Sequence, residues 1–136
     1  MAGLWAGTLL CIGGLAAPAA FATLARPDAG AFVGRVFAQE GYLSLAMAAL
    51  LYLAARRLAR AAAAAGIGSV VSAEVLLALG ALFCTVAGYF ALQPMMEAAR
   101  AGQGSFSFAT LHGVSLGLYA LKALLVTVLA WRLTRR

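Results

Sequence analysis

Charged residues are scarce in this sequence, and acidic residues most of all. Asp, Glu, Lys and Arg make up 10% of the 136 residues, and only four residues are acidic. Because a soluble domain carries about 25% charged residues, the composition excludes an ordinary soluble domain. The 65% share of hydrophobic residues is typical of an integral membrane protein.

Histidine is nearly absent, and the motifs of several enzyme classes are missing. One histidine cannot form the paired motif of a metalloprotease and gives no specific haem-binding motif. Neither a glycine-rich phosphate loop nor a nucleophile elbow is present. His112 with Ser115 three residues later is only a weak nucleophile and base pair. We therefore expect no enzyme activity and no cofactor.

The two cysteines, Cys11 and Cys84, both lie inside apolar runs, which argues against a stabilising extracellular disulfide. Together with Met47 they are predicted at comparable depth on three spans, and their sulfur ligands would suit monovalent copper. Cysteine and methionine are also ordinary packing residues in an apolar interior. Lys122 at a similar depth would repel a cation. We therefore expect no metal site.

Apolar runs long enough to cross a bilayer occur four times. A crossing helix needs about 20 mostly apolar residues, and the runs cover about residues 3–24, 31–55, 73–96 and 106–131. Pro27 ends the first helix, while Asp28 and Ser72 are expected to cap the second and third. The sequence therefore predicts an all-α fold, a single membrane domain over residues 1–136 with four transmembrane helices in a bundle.

Basic residues between the spans are unevenly distributed. The connection between spans two and three and the C-terminal tail hold six arginines, whereas the other two connections hold Arg26 and Arg100. The positive-inside rule then places both termini in the cytoplasm. Trp5, Tyr52 and Trp131 are expected at that boundary as an aromatic belt. Because the alanine-, arginine- and glycine-rich composition suggests a bacterium, the expected location is the bacterial inner membrane.

Small residues recur four positions apart, which lets transmembrane helices approach closely. The pairs are Gly3 and Gly7, Gly30 and Gly34, and Gly113 and Gly117. They are expected to support a compact bundle.

Polar residues inside spans two and four form the candidate site. A charge at mid-membrane costs about 2.5–3.5 kcal/mol, so such residues usually face the bundle interior and pair. Arg35, Gln39 and Tyr42 share one stripe of span two, whereas Glu40 points about 140° away from Arg35. The candidate network consists of Arg35, Gln39, Glu40, His112, Ser115, Tyr119 and Lys122.

We expect spans two and four to pack these positions against each other. Glu40 should pair with Lys122 or His112, and Arg35 should lie at a depth similar to that of His112, in the outer half of the membrane. Three interpretations stay open. The network fixes only helix packing, or it lines an outer-facing pocket or relay, or its members extend separately toward the surface.

Four stretches of the sequence resemble the four-helix family of transmembrane protein 205, whose bacterial members form a domain of unknown function. The stretches are AAPAAF at 16–21, AGAFVGRVF at 29–37, QPMMEAAR at 93–100 and FATLHGVSLGLYALKALL at 108–125. The resemblance covers nearly the whole chain and implies a four-span membrane protein without established enzyme activity. The positions that match its motifs are Pro18, Phe21, Ala29, Gly30, Pro94, Arg100, Leu111, His112 and Ser115.

Two functions from different classes follow as hypotheses. The first is a small membrane protein that binds or moves a small molecule through an outer-facing polar pocket between spans two and four. The second is a structural or accessory protein whose network serves only helix packing. The expected partners are the lipid bilayer, further copies of the chain or another membrane protein, and no nucleic acid. A cavity of several hundred cubic ångström beside Arg35 and His112 would favour binding.

The arginine distribution makes a testable prediction about orientation. Cysteines introduced singly as Gly66→Cys and Gly102→Cys, in a chain lacking Cys11 and Cys84, should react with a membrane-impermeant reagent from opposite sides. Intact cells and inverted vesicles provide the measurement. Labelling of position 66 from the periplasmic side would contradict the predicted orientation.

Overall fold

The computed structural model describes residues 1–135 and consists of four long helices, with no strand in that range. The helices are α1 (Ala2–Thr23), α2 (Arg26–Ala64), α3 (Ala73–Arg100) and α4 (Phe108–Thr134). Each is long and apolar enough to cross a membrane. The predicted all-α, four-span fold is confirmed. Arg136, one of the six arginines in the orientation count, lies outside the described residues.

The helices pack in chain order around a square. α1 contacts α2, α2 contacts α3, α3 contacts α4, and α4 returns to contact α1. Across residues 1–135, no Cα atoms of α2 and α4 approach within 8 Å, so these two helices lie on a diagonal. Short connections make sequential helices neighbours. Spans two and four therefore face each other without backbone contact, and any pairing of their polar positions depends on long side chains.

Helix α2 is much longer than the predicted 31–55 span because it continues through the arginine cluster and the alanine run that follows. Alanine and arginine are both strong helix formers. The helix ends at Ala64, and Gly66 shortly after it has a φ of 71°. There Gly66 N–H donates to the Ala63 carbonyl and Ile67 N–H to the Ala62 carbonyl, the two bonds of a Schellman motif. The left-handed conformation requires glycine at this position.

One of the two predicted helix caps is present. Ser72 accepts a hydrogen bond from Val75 N–H and caps α3, as predicted. Ser107 caps α4 in the same way, through Thr110 N–H. Asp28 does not cap α2, because that helix begins at Arg26 and Asp28 lies in its first turn. Its charge still favours the helix start, since it lies near the positive end of the helix dipole.

A π-helical segment interrupts α1 and another interrupts α3. They cover Ile12–Ala16 and Val86–Ala91, and each lies shortly before a proline, Pro18 or Pro94. Proline lacks the N–H that would bond to the carbonyl four residues earlier, and its ring crowds that carbonyl. A wider turn before the proline relieves this conflict. Both spans consequently continue beyond their prolines, to Thr23 and Arg100.

The interior of the bundle is built from small side chains. Nine of the 17 buried apolar residues among the described ones are alanines, whereas large side chains such as Leu4 and Phe83 are 79% and 66% exposed. In lipid, a leucine on the surface is as well solvated as one inside, and close approach of helices stabilises the bundle instead. This arrangement reverses that of a soluble core and fits a membrane-embedded protein.

The glycines that allow close packing are not those of the predicted motifs. A Cβ at any of the six motif glycines would meet nothing within 4 Å. A Cβ at Gly13 would instead lie 2.8 Å from the Tyr119 ring, and one at Gly41 would lie 2.9 Å from Tyr89. The expected packing role of the spacing was wrong, because glycines four apart also arise on lipid-facing surfaces of a glycine-rich chain. The motif glycines are Gly3, Gly7, Gly30, Gly34, Gly113 and Gly117.

Two neighbouring glycines of α1 test this packing. Gly13→Ala should lower the free energy of unfolding by about 1–2 kcal/mol, since the Tyr119 hydroxyl is held by the Leu9 carbonyl and its ring cannot move freely. Gly14→Ala is the control. Nothing lies within 4 Å of that site, so the loss of glycine flexibility should raise stability by about 0.5–1 kcal/mol. Thermal unfolding in micelles gives both values, and equal responses would contradict the close contact.

Candidate functional site

An ion pair closes the centre of the bundle. Lys122 Nζ of α4 lies 2.8 Å from Glu40 Oε1 and 3.0 Å from Oε2 of α2, across the diagonal. The two side chains are only 3% and 4% exposed. The pairing of Glu40 with Lys122, one of the two alternatives expected from the sequence, is present. The long lysine side chain reaches across the space that separates the two backbones.

Ser44 and Trp5 extend this ion pair to α1. Ser44, one turn after Glu40, donates its hydroxyl to the Glu40 carboxylate and accepts from Trp5 Nε1 at 2.8 Å. Lys122 Nζ also lies 3.4 Å from the Ser44 oxygen. Trp5 is buried, so the expectation that it belongs to an interfacial belt was wrong. Throughout residues 1–135, every buried side-chain nitrogen and oxygen has a hydrogen-bond partner.

Tyr119 lies beside the ion pair, and its hydroxyl binds α1 while its ring contacts α2. Its hydroxyl donates to the Leu9 carbonyl at 2.8 Å. Its ring packs edge-on against Phe37 and lies 5.0 Å from Lys122 Nζ, within range of a cation–π interaction. Tyr119 therefore joins three helices around the pair without accepting or donating a bond to the charged groups.

Ser115 connects α4 to α3. Its hydroxyl donates to the Gly88 carbonyl at 3.0 Å, inside the π-helical segment of α3. A π turn alters the regular hydrogen-bonding pattern and leaves such carbonyls accessible to side chains. Ser115 thus holds two neighbouring helices together. The predicted network would have required Ser115 to contact Glu40, and it does not.

Four residues of the predicted polar stripes lie on the bundle surface. Arg35, Gln39 and Tyr42 are exposed on α2, and His112 is exposed on α4, where it stacks on Phe108. Because a helix in a four-helix square buries only one side, Glu40 and Arg35, which point about 140° apart, cannot both face inward. The structure buries Glu40. The expectation that Gln39 and His112 belong to a buried network was wrong, whereas the exposed position of Arg35 agrees with the alternative that it extends toward the surface.

A second ion pair was missed by the sequence analysis. Arg132 Nε donates to Glu74 Oε1 at 3.0 Å, joining the end of α4 to the start of α3. Glu74 is 4% exposed. The sequence analysis counted Arg132 only among the arginines of the tail and assigned no partner to Glu74. The signal was available, because both residues lie at the same predicted end of adjacent antiparallel spans.

Two grooves lie away from the predicted pocket. One, of about 330 Å³, lies at the end that bears the arginine cluster, between the C-terminal part of α2, the 67–72 connection and the end of α4. Its lining is mostly apolar and includes Leu58, Ile67 and Leu133 beside the Glu74 carboxylate. The other, of about 110 Å³, lies beside Met95 and Phe106. Neither is lined by Arg35, Gln39 or His112.

The three sulfur-bearing residues occupy different surroundings. Cys11 is exposed on α1, Cys84 is buried on α3, and Met47 packs against the apolar core. In the described part of the chain, no three His, Cys, Asp or Glu side chains lie close enough to hold an ion. The buried Lys122 ammonium also makes this interior unfavourable for a further cation.

The motif positions of the resemblance are mostly at the surface. Phe21 and Gly30 are exposed, Pro18 and Pro94 follow the two π segments, and Arg100 lies over the Phe108 ring at 4.5 Å. The two prolines are associated with the π-helical segments, and Arg100 contacts Phe108 at one end of the bundle. They do not converge with the Glu40–Lys122 pair.

The profile of one family, described as a domain of unknown function, DUF4149, matches residues 1–105 of the chain. The chain belongs to the DUF4149 family. Comparison with curated proteins and with solved structures gives no significant match. The DUF4149 match includes Trp5, Glu40 and Ser44 and ends before α4, so it does not include Lys122 or Tyr119.

The buried ion pair makes a prediction about stability. Glu40→Gln should lower the free energy of unfolding by about 3–5 kcal/mol, because it leaves the Lys122 charge buried without its counter-charge. Adding Lys122→Met should recover part of that loss. Glu97→Gln, at an exposed glutamate of α3, is the matched control and should change little. Equilibrium unfolding in micelles measures all four proteins. A Glu40→Gln variant as stable as the parent would refute a structural role for the pair.

Proposed function

We propose that this DUF4149 protein is a non-enzymatic structural or accessory membrane protein that acts by associating with membrane protein partners. The observation that supports this role most directly is the filled space between α2 and α4, where the Glu40–Lys122 pair occupies the diagonal and both side chains are at most 4% exposed. A binding pocket at this position would need a cavity and polar groups free to bind a ligand. Glu40, Ser44 and Lys122 are instead bonded to one another.

The distribution of polar groups also supports an accessory role. Arg35 and Gln39 point away from the bundle, at depths where lipid offers them few hydrogen-bond partners. A neighbouring transmembrane helix can supply such partners. The buried polar groups of this protein have hydrogen-bond partners inside the bundle, while its surface bears further polar groups. Such a surface is suited to packing against other helices.

The groove near the arginine cluster supports a second candidate, the binding of a small apolar molecule. Its volume of about 330 Å³ lies at the lower end of the range of ligand pockets. In that case the site would lie at the opposite end from the predicted outer-facing pocket, and the bundle interior would serve packing alone.

The proposal also covers the membrane in which the protein resides and the protein family to which it is related. We infer a bacterial inner-membrane protein with both termini cytoplasmic, supported by four apolar helices and the six-to-two arginine distribution. The order and spacing of the four quoted stretches support a relationship to the transmembrane protein 205 family.

Native mass spectrometry of the full chain, released from its own membrane lipids, tests the accessory role. The expected result is a complex with a further membrane protein chain and no stoichiometric small molecule. A monomer that retains one small molecule, and loses it when Leu58→Trp fills the groove, would replace the accessory role with the binding role. Leu45→Trp, at an exposed position of the same helix outside the groove, is the control for the added ring.

A further inference from the structure

The outward face of α2 bears charged and amide side chains that no contact inside the described bundle uses. Eight exposed positions, separated alternately by four and three residues, form this face. We call this set the α2 seam, and it consists of Asp28, Phe32, Arg35, Gln39, Tyr42, Ala46, Ala49 and Leu53. The outward stripe of α4 has the same spacing, so the polar residues distinguish the seam. A spacing that averages 3.5 residues lets such a stripe follow one further helix along its length.

Gln39 lies near the centre of this seam and inside the predicted 31–55 span. It is eight residues after the predicted start of that span, about 12 Å along the helix, so its amide is expected within the hydrocarbon core. Within the described residues its amide has no hydrogen-bond partner. Leaving an amide unbonded in hydrocarbon is unfavourable. The neighbour of the seam should therefore offer both a donor and an acceptor at this depth.

We propose that this neighbour is α2 of a second copy of the chain. This inference rests on the accessory role proposed above, and it identifies the membrane protein partner in that role as a second copy of the same protein. In a two-fold symmetric, parallel pair each seam residue lies opposite its own copy. Glutamine is self-complementary, because its amide donates through nitrogen and accepts through oxygen. Two Gln39 side chains therefore satisfy each other, and a single polar position sets the register of the pair.

Asp28 and Arg35 together give each seam no net charge, and they form no ion pair among residues 1–135. In the parallel pair each of them lies beside its own copy, and about 10.5 Å along the helix separates the two levels. Arg35 therefore extends its long side chain toward the nearer membrane surface and away from its copy. Two small residues that follow Tyr42 along the seam, Ala46 and Ala49, allow the helices to approach closely.

Cysteine cross-linking of the full chain in liposomes tests the pairing. In a chain lacking Cys11 and Cys84, Ala46→Cys and Ala49→Cys should form disulfide-linked dimers under mild oxidation. Leu45→Cys, exposed on another side of α2, and Ala120→Cys, exposed on α4, should not. Equal cross-linking at all four positions, or none at 46 and 49, would overturn the proposal.

The contribution of Gln39 is measured separately. Gln39→Leu should weaken dimerisation by about threefold to twentyfold in fluorescence energy transfer between labelled copies diluted in lipid. Gln93→Leu, the same change on α3, should leave it unchanged. A dimer equally stable with Gln39→Leu would overturn the pairing of the two amides.

Cross-linking in the native membrane separates this inference from the accessory role. If Ala46→Cys forms a disulfide with a different protein and not with its own copy, the second copy is wrong while the accessory role stands. If the chain is monomeric with a stoichiometric small molecule in its groove, the accessory role itself fails.

Discussion

The bundle depends on one ion pair that is almost completely buried. In a medium of low dielectric constant, an isolated charge is very unfavourable and an opposite charge in contact offsets most of that penalty. Glu40 and Lys122 lie on helices that do not touch, so the contact exists only when the flanking helices hold them at the correct distance. Trp5 of α1 extends this requirement, because its indole N–H needs Ser44 beside the same carboxylate. The pair therefore makes the assembly of separate helices a single cooperative event.

The small interior residues follow from the same setting. Helices in lipid gain little from moving an apolar side chain inward, so their backbones must come close together for dispersion to stabilise them. Alanines fill the interior and large side chains face the lipid, while Gly13 and Gly41 accommodate tyrosine rings. The close approach of the helix backbones holds the ring of Tyr119 beside Lys122. Close packing and the ion pair consequently stabilise the same arrangement.

The sequence predicted the helices well because long apolar runs, prolines and arginine clusters are local signals. It also predicted that Glu40 and Arg35 could not share partners, since their angular separation follows from helix geometry. Sequence alone did not indicate which of the two faces inward. That choice depends on how each helix is rotated among its neighbours, a property of the whole bundle. Trp5 illustrates the same point: its type and position suit an interface, yet its partner Ser44 is 39 residues away.

The π turns were not predicted either, although Pro18 and Pro94 marked their places. A proline in an apolar run indicates a disturbed helix without saying whether it ends, bends or widens. The Glu74–Arg132 pair was missed for a different reason, because each residue already had a simpler role. The position of a residue along its helix could thus be predicted from the sequence. Which neighbouring helix its side chain contacts was harder to predict.

The separation of the buried charges along the chain has a consequence for biosynthesis. Glu40 is 82 residues earlier than Lys122, so at typical translation rates of about 5–20 residues per second it emerges about 4–16 s before its counter-ion. During this interval the nascent chain has three apolar segments and a carboxylate without its ammonium partner. Insertion of α4 supplies that partner. The helix that follows the first three is therefore the one that completes the interior of the bundle.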